Sequence, residues 1–281
     1  GEKIAFGFSP IGQDETAFVY SEGERAAVLS LRYNLNVGLG PRAVTEQFGG
    51  DGIENYINVY TRQLTSVIDC MSVNSNILPI QLQMVYNPSY DSYKSNLLNL
   101  SDFAYPIEGM GKNFKLNLEQ YCFSYEIDRY HDGFIYIDGS GAVHEFEENI
   151  RSTSSANHYV CKDCNLTCSK AGNHSVTIYK NNVPYMYFTY GRLTWIATPE
   201  KSLRIEYELL NNGKARIEKV YNCLEGGTRN YPSSKEAQSV TFAYNNNNLL
   251  SSITSNYGES VNFTYNEKPF NKDRTRNIIY S

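Results

Sequence analysis

The chain of 281 residues lacks features that mark several common functional classes. No apolar run approaches the roughly 20 residues that a membrane-spanning helix requires, and no G-x-S-x-G nucleophile motif occurs. The net charge is −5 and no run of basic residues is present, which argues against a nucleic-acid partner because such partners are bound by clustered positive charge. Apolar residues at helical spacing do not fill any window of about 11 residues, so few or no long helices are expected.

Tyrosine, in contrast, is abundant. The chain contains 24 Tyr and 13 Phe, and 41% of its residues are hydrophobic. Aromatic side chains suit the half-buried surface of a β-sheet, and a chain of this length can bury a substantial core. Apolar and polar residues alternate through most of the sequence after Tyr56, although the polar stretch 87–108 predicts a long loop. The sequence therefore predicts an all-β fold.

The last third of the chain contains a repeat. Each of its three units has two apolar residues three positions apart, a turn, and an alternating strand that ends on Tyr. The middle unit carries an insertion of about 12 residues. Because a single hairpin cannot bury its own apolar face, the hairpin units are expected to stack into one large curved or spiralling sheet. The predicted repeat core consists of Leu193, Ile196, Tyr207, Ile217, Val220, Tyr244, Leu250, Ile253 and Tyr265.

Four upstream segments extend this pattern. Residues 58–64, 78–87, 109–117 and 138–146 read NVYTRQL, LPIQLQMVYN, GMGKNFKLN and DGSGAVHEF. In this order, and together with the repeats, they resemble the core of the RHS/YD-repeat family over roughly residues 44–266. The sequence departs from the family pattern at Arg62-Gln63, where the family usually has Gly, and at Phe114, where it usually has Trp.

The resemblance implies a strand that spirals into a hollow shell. In that family the shell encloses a C-terminal polymorphic toxin, which a terminal aspartyl autoprotease frees. Neither the autoprotease motif nor a toxin occurs in this sequence, so this part of the protein is expected to be non-enzymatic, with no catalytic residue and no cofactor. The expected role is structural, in a secreted or cell-surface bacterial protein. The expected partners are further repeats and the C-terminal cargo of its own chain.

The same resemblance divides the chain into regions. Residues 1–34 are similar to the last strands of a DNRLRE-type β-sandwich, and Gly1 begins within strand-like sequence, so a longer parent protein is expected. Residues 35–55 contain five Gly and Pro41, a composition that predicts a linker. Residues 56–180 are expected to form the β-rich entry to the core, and residues 181–281 the YD-like repeats.

Cys161, Cys164 and Cys168 form a C-x-x-C-x-x-x-C run that admits three interpretations. The run could hold a metal ion or cluster, Cys161 and Cys164 could form a disulfide, or three thiols could simply follow a strand and turn. Zinc sites usually show two paired sets of ligands and only one is visible here, so no metal is predicted and these cysteines remain candidates. The candidates for a fourth ligand are His158, His174 and Cys223.

Aromatic residues near the first repeat suggest an alternative function. If Tyr185, Tyr187, Tyr190 and Trp195 are exposed, their rings could stack on a cell-surface glycan, and the chain would be a carbohydrate-binding or adhesin module. Within a repeat, however, a Tyr at the end of a strand more often packs between neighbouring units.

Acidic residues give the least favoured alternative, an enzyme. Glu145 and Glu147 could act as paired catalytic acids, but they lie two positions apart on a predicted strand, which places both on one solvated face. The adjacent segment that begins at Asp138-Gly139 predicts a hairpin turn.

Overall fold

The computed structural model of the protein describes residues 39, 45–59, 62–75, 77–98, 106–128, 131–149, 158–161, 163–170, 174–223, 238–269 and 275–280. All of them belong to one compact unit, Asn36–Ser281. The strands predicted within residues 1–34 lie outside the described residues, so that region stays a prediction.

The described residues confirm the prediction of an all-β fold without long helices. The first sheet has five antiparallel strands, each paired with the next along the chain. These strands are β1 (Thr45–Gly50), β2 (Ile53–Asn58), β3 (Leu64–Val73), β4 (Ile80–Tyr86) and β5 (Phe114–Leu116).

Two elements of this first part differ from the sequence predictions. The stretch 35–55, predicted to be a linker, contains β1 and the start of β2, because a tight turn at Asp51 and Gly52 with positive φ angles joins them into a hairpin. The stretch 87–108, predicted to be a loop, contains one short helix, α1 (Tyr90–Leu98). This helix has few apolar residues, so helical periodicity did not reveal it. No helix among the described residues is long and apolar enough to cross a membrane.

Eight strands close into a ring. Each pairs antiparallel with its neighbour in the chain, and the last strand also pairs with the first, where Arg192 lies opposite Tyr121. Turns in which two successive residues have positive φ, Asn181-Asn182 and Tyr190-Gly191, join the final strands and match their twist. The ring strands are β6 (Tyr121–Asp128), β7 (His131–Ile137), β8 (Val143–Glu148), β9 (Tyr159–Cys161), β10 (Leu166–Lys170), β11 (Ser175–Lys180), β12 (Val183–Thr189) and β13 (Arg192–Ala197).

Side chains fill the interior of this ring. Residues that pair directly across neighbouring strands project from the same face, and the register aligns Cys122, Tyr136 and His144 in one row and Phe134, Phe146 and Cys161 in another. All six are buried. Further buried side chains from the remaining ring strands are Cys168, Ile178, Met186 and Phe188. The ring is therefore a packed core.

The repeat sheet continues from β13 as an antiparallel meander. Its strands are β14 (Ser202–Leu209), β15 (Ala215–Cys223), β16 (Ser239–Tyr244), β17 (Leu250–Ser255) and β18 (Ser260–Asn262), and β19 (Thr264–Pro269) and β20 (Thr275–Tyr280) form a separate hairpin. Stacked hairpin units thus form one large sheet, as predicted. The boundary predicted between residues 180 and 181 falls in the turn between β11 and β12, so the ring contains strands from both predicted regions.

Candidate functional site

The repeat tyrosines make one hydrogen bond in a constant pattern. In each unit the Tyr hydroxyl donates to the backbone carbonyl of the first apolar residue of the same unit. The three bonds are Tyr207 to Leu193 (2.6 Å), Tyr244 to Ile217 (2.6 Å) and Tyr265 to Leu250 (2.8 Å). We call Tyr207, Tyr244 and Tyr265 the tyrosine ladder.

The strand register links the first two ladder tyrosines to the next unit as well. Tyr207 lies directly opposite Ile217, and Tyr244 lies opposite Leu250. A β-bulge immediately precedes both tyrosines, and such a bulge changes the direction in which the following side chain points. Tyr207 and Tyr244 therefore each bond back to their own unit and pair with the unit that follows.

Arginine side chains cover two of the ladder rings. The guanidinium of Arg192 lies 4.8 Å from the Tyr207 ring centroid, and that of Arg216 lies 4.6 Å from the Tyr244 centroid. Each arginine directly precedes the first apolar residue of its unit, whereas the third unit has Leu249 at this position. Burial raises the pKa of the Tyr207 and Tyr244 hydroxyls, and the nearby guanidinium only partly offsets this.

The other predicted repeat-core residues also belong to the hydrophobic core or pack against it. Leu193, Ile217, Val220, Leu250 and Ile253 are buried. Ile196 and the three ladder tyrosines are partly buried and pack against this core. The repeat residues thus supply both the apolar contacts and the ladder hydrogen bonds.

Residues 106–109 cross the repeat units and connect them. Ala215 exchanges two backbone hydrogen bonds with this crossing segment (2.7 and 3.0 Å), and the Leu250 amide donates to the carbonyl of Gly109 (2.5 Å). Another amide of the segment donates to the hydroxyl of Tyr121 (2.8 Å). Gly109 has a φ of 137°, a conformation that L side chains rarely adopt. The crossing segment joins the starts of two repeat units to the first strand of the ring.

The four predicted platform aromatics occupy different environments. Tyr187 is only 8% exposed, and its ring centroid lies 4.4 Å from that of Trp195. The guanidinium of Arg204 covers the Trp195 ring at 3.7 Å, and Tyr185 packs against the hydrophobic core. Tyr190, which is 39% exposed, is the most accessible of the four. Packing accounts for Tyr187 and Trp195, and a glycan platform stays a prediction.

A second group of functional interest lies at the turn between β9 and β10. Cys161 and Cys164 form a disulfide with a Cα–Cα distance of 5.7 Å. Cys168 lies on β10, buried and outside this disulfide. Two histidines were predicted as further ligands. His158 lies 3.3 Å from a carboxylate oxygen of Glu148, and His174 stacks on the ring of Tyr190. Neither joins the two cysteines.

The residues that do join them are His144 and Asp163. One ligand atom from each of His144, Cys161, Asp163 and Cys164 lies within 4.8 Å of all the others. The Oδ1 atom of Asp163 lies 2.8 Å from Cys161 Sγ and 3.4 Å from His144 Nδ1. We call these four residues the cysteine–histidine cluster. His144 and Cys161 are buried, while Asp163 and Cys164 are partly exposed.

Asp138 fixes the other side of the imidazole. Its Oδ2 lies 3.1 Å from His144 Nε2, while its Oδ1 accepts hydrogen bonds from the Ser140 amide and hydroxyl and from the Ala142 amide (2.8 to 2.9 Å). Burial lowers the pKa of His144, but the hydrogen bonds and charges of Asp138 and Asp163 outweigh burial and raise this pKa to about 9. With the disulfide formed, the ring is therefore an imidazolium at neutral pH.

Sequence reasoning missed His144 because no local signal pairs it with the cysteines. It stands between Val143 and Glu145 in an ordinary strand pattern, and only the register of β7, β8 and β9 brings it to the β9–β10 turn. Asp163 had a visible signal, since it lies inside the C-x-x-C sequence. On the same strand as His144, Glu145 and Glu147 are exposed and Phe146 between them is buried, which confirms the predicted solvated face.

Comparison with known proteins adds no family. No family model matches the chain, and no curated protein matches it. The resemblance to RHS/YD repeats therefore rests on the sequence motifs alone.

Proposed function

We propose that the chain is a non-enzymatic structural scaffold, the repeat-bearing part of a bacterial secreted or cell-surface protein of the RHS/YD type. Its partners are further repeats of its own chain and a C-terminal toxin or effector that the sheet supports or encloses. The observation that carries this proposal is the tyrosine ladder, in which the same donor meets the same acceptor position in three successive units.

The ladder suits a scaffold because its contacts are local and repeatable. Each unit is tied to itself by the tyrosine hydroxyl, and the first two units pair with the unit that follows them. An array of this kind can be extended by adding further copies of the same unit. The hydroxyls of the partly buried ladder tyrosines donate to backbone carbonyls, and burial holds their pKa above the ordinary range. We infer that these hydroxyls stabilise the sheet.

Inward-facing thiols of the ring also favour a structural role. Cys122 and Cys168 are buried, and burial raises the pKa of both thiols. A cysteine nucleophile requires the thiolate, which a lowered pKa and an accessible position provide. These two thiols behave as small apolar side chains in the ring core.

Limited proteolysis of the complete gene product tests the scaffold proposal. We expect a segment outside the present sequence to be protected while the repeat sheet is folded, and to become accessible in Leu250→Ala, which weakens the repeat core. Tyr257→Phe, at a position that is 65% exposed, serves as the matched control and should leave the digestion pattern unchanged. Equal digestion of every flanking segment in the folded wild type would contradict enclosure.

A glycan array separates the scaffold from the adhesin alternative. The observation that favours a glycan is the exposure of Tyr190. Specific binding that disappears in Tyr190→Ala, but persists in Tyr257→Ala, would replace the scaffold by a carbohydrate-binding module. A blank array with a folded chain is the result that the scaffold proposal expects.

A further inference from the structure

We propose that the cysteine–histidine cluster, once its disulfide is reduced, binds one zinc ion through Cys161, Cys164, His144 and Asp163. The disulfide and the zinc complex are then alternative states of one site. Two thiolates, an imidazole and a carboxylate are ligand types that zinc takes in tetrahedral sites. With metal–ligand distances of roughly 2.0–2.3 Å, a tetrahedral shell separates its ligand atoms by about 3.3–3.8 Å, and the four atoms here lie within 4.8 Å of one another.

His144 is already oriented for this role. Its Nε2 is hydrogen-bonded to Asp138, so its Nδ1 faces Asp163 and the cysteines. A zinc-bound histidine typically donates its second ring N–H to a carboxylate, which fixes the tautomer and the ring plane. Three hydrogen bonds from the β7–β8 turn hold Asp138 in place. The structure thus contains an outer carboxylate in the position that a zinc site uses.

The turn between β9 and β10 presents both sulfur atoms to the same point. The amide of Cys164 lies 3.2 Å from Cys161 Sγ and points at it, and a hydrogen bond of this kind stabilises a thiolate. Beside the disulfide, His144 and Asp163 pair with each other. Once the sulfur atoms are thiolates, the same Nδ1 and Oδ1 atoms lie close enough to join both sulfur atoms around one cation.

A dithiol can convert the disulfide state of the site into the state that binds zinc. The dithiol gives two electrons and two protons to the Cys161–Cys164 disulfide, which yields two cysteine thiols and the cyclic disulfide of the reductant. Zinc then displaces the two thiol protons and any proton carried by His144 Nδ1, and these protons pass to solvent. Zinc must leave before the sulfur atoms can join again, so the bound ion protects the pair from oxidation.

Metal content of the wild-type chain in its two redox states is the primary test. The chain is reduced with a dithiol, its thiol content is verified, and it is equilibrated with zinc chloride and desalted under anaerobic conditions. We expect one zinc per chain by elemental mass spectrometry, and at least ~10-fold less in the oxidised chain. Cobalt(II) in place of zinc should give thiolate-to-metal charge-transfer bands in the reduced chain alone.

Variants then identify the ligands. Cys161→Ser and His144→Gln should abolish the cobalt charge-transfer bands or weaken zinc binding strongly, and Asp138→Asn should weaken it by roughly 10–100-fold although Asp138 is no ligand. Cys168→Ser is the matched control, since it removes a buried cysteine outside the cluster. Circular dichroism checks the fold of each variant, and the comparison of the two wild-type redox states requires no variant.

Two results would overturn the proposal. The first is a reduced, folded wild type with verified thiols that retains no zinc. The second is a site that persists in Cys161→Ser but is lost in a folded Cys168→Ser, because that result would assign the metal to a different set of ligands.

Discussion

The repeat sheet and the closed ring are both built from antiparallel strands, yet they place their polar groups differently. In the repeat sheet one polar contact, from the tyrosine hydroxyl to a carbonyl, recurs in three units. In the ring the buried polar contacts occur singly, and the most connected of them surround His144. Recurrent contacts are what an extendable architecture requires. Buried titratable groups that occur once, with partners on both sides, are where chemistry is to be sought.

Truncation of the repeat core is expected to have the largest effect. Leu250 is fully buried, and its backbone takes part in both the ladder and the contact with the crossing segment. Leu250→Ala should lower the free energy of unfolding by about 2–5 kcal/mol, because it removes buried apolar contacts and leaves a cavity. Urea denaturation followed by circular dichroism measures this change.

Leu209→Ala is the matched control for that experiment. Leu209 lies on β14 of the same repeat sheet but is 68% exposed, so its truncation should change the free energy of unfolding by no more than about 0.5 kcal/mol. Similar losses of unfolding free energy for the two variants would show that Leu250 does not belong to the core of the repeat sheet.

A buried lysine of the first sheet should give the free energy of unfolding a pH dependence of intermediate size. Lys115 on β5 is buried and donates from Nζ to the backbone carbonyl of Asp138 at 2.5 Å. Burial lowers its pKa to about 8, against the opposing charges of Glu119 and Asp138. Between this value and the unfolded pKa of about 10.4, the Lys115 side chain binds more protons in the unfolded chain, so its own contribution to the free energy of unfolding should rise with pH.

The size of that rise can be measured against a variant. From pH 8 to pH 10 the contribution of Lys115 should grow by about 2 kcal/mol. Urea titrations at a series of pH values measure it as the wild-type free energy of unfolding minus that of Lys115→Met, because His144 and the buried thiols and tyrosines titrate in both proteins. Above about pH 10 this difference should level off, because Lys115 then loses its proton in the unfolded chain as well. Parallel pH profiles for the wild type and Lys115→Met would show that Lys115 makes no such contribution.

The same contrast explains how much the sequence could predict. The repeat was visible because its period is short and each unit ends on Tyr, so local pattern and tertiary contact coincide at residues such as Tyr207 and Leu193. Ring closure was not visible, because the pairing of Arg192 with Tyr121 joins distant segments that share no motif. His144 was missed for the same reason, since its partners come from two other turns. Local patterns specify strands and turns, whereas closure and sites depend on long-range register.

Removing single ladder hydroxyls should have the smallest effect and sharpen the comparison most. Tyr244→Phe deletes the bond to the Ile217 carbonyl while keeping the ring and its contact with Arg216. The expected loss is about 1 kcal/mol in the free energy of unfolding, because one partly buried hydrogen bond disappears. Tyr207→Phe should cost a similar amount, and the exposed control Tyr257→Phe should cost nothing measurable.

Chemical denaturation of the three variants in parallel measures these losses in the free energy of unfolding. Equal losses at the two ladder positions would mean that the units are energetically interchangeable, as an extendable array requires, whereas values equal to the control at both positions would reduce the ladder to a geometric regularity without a stabilising role.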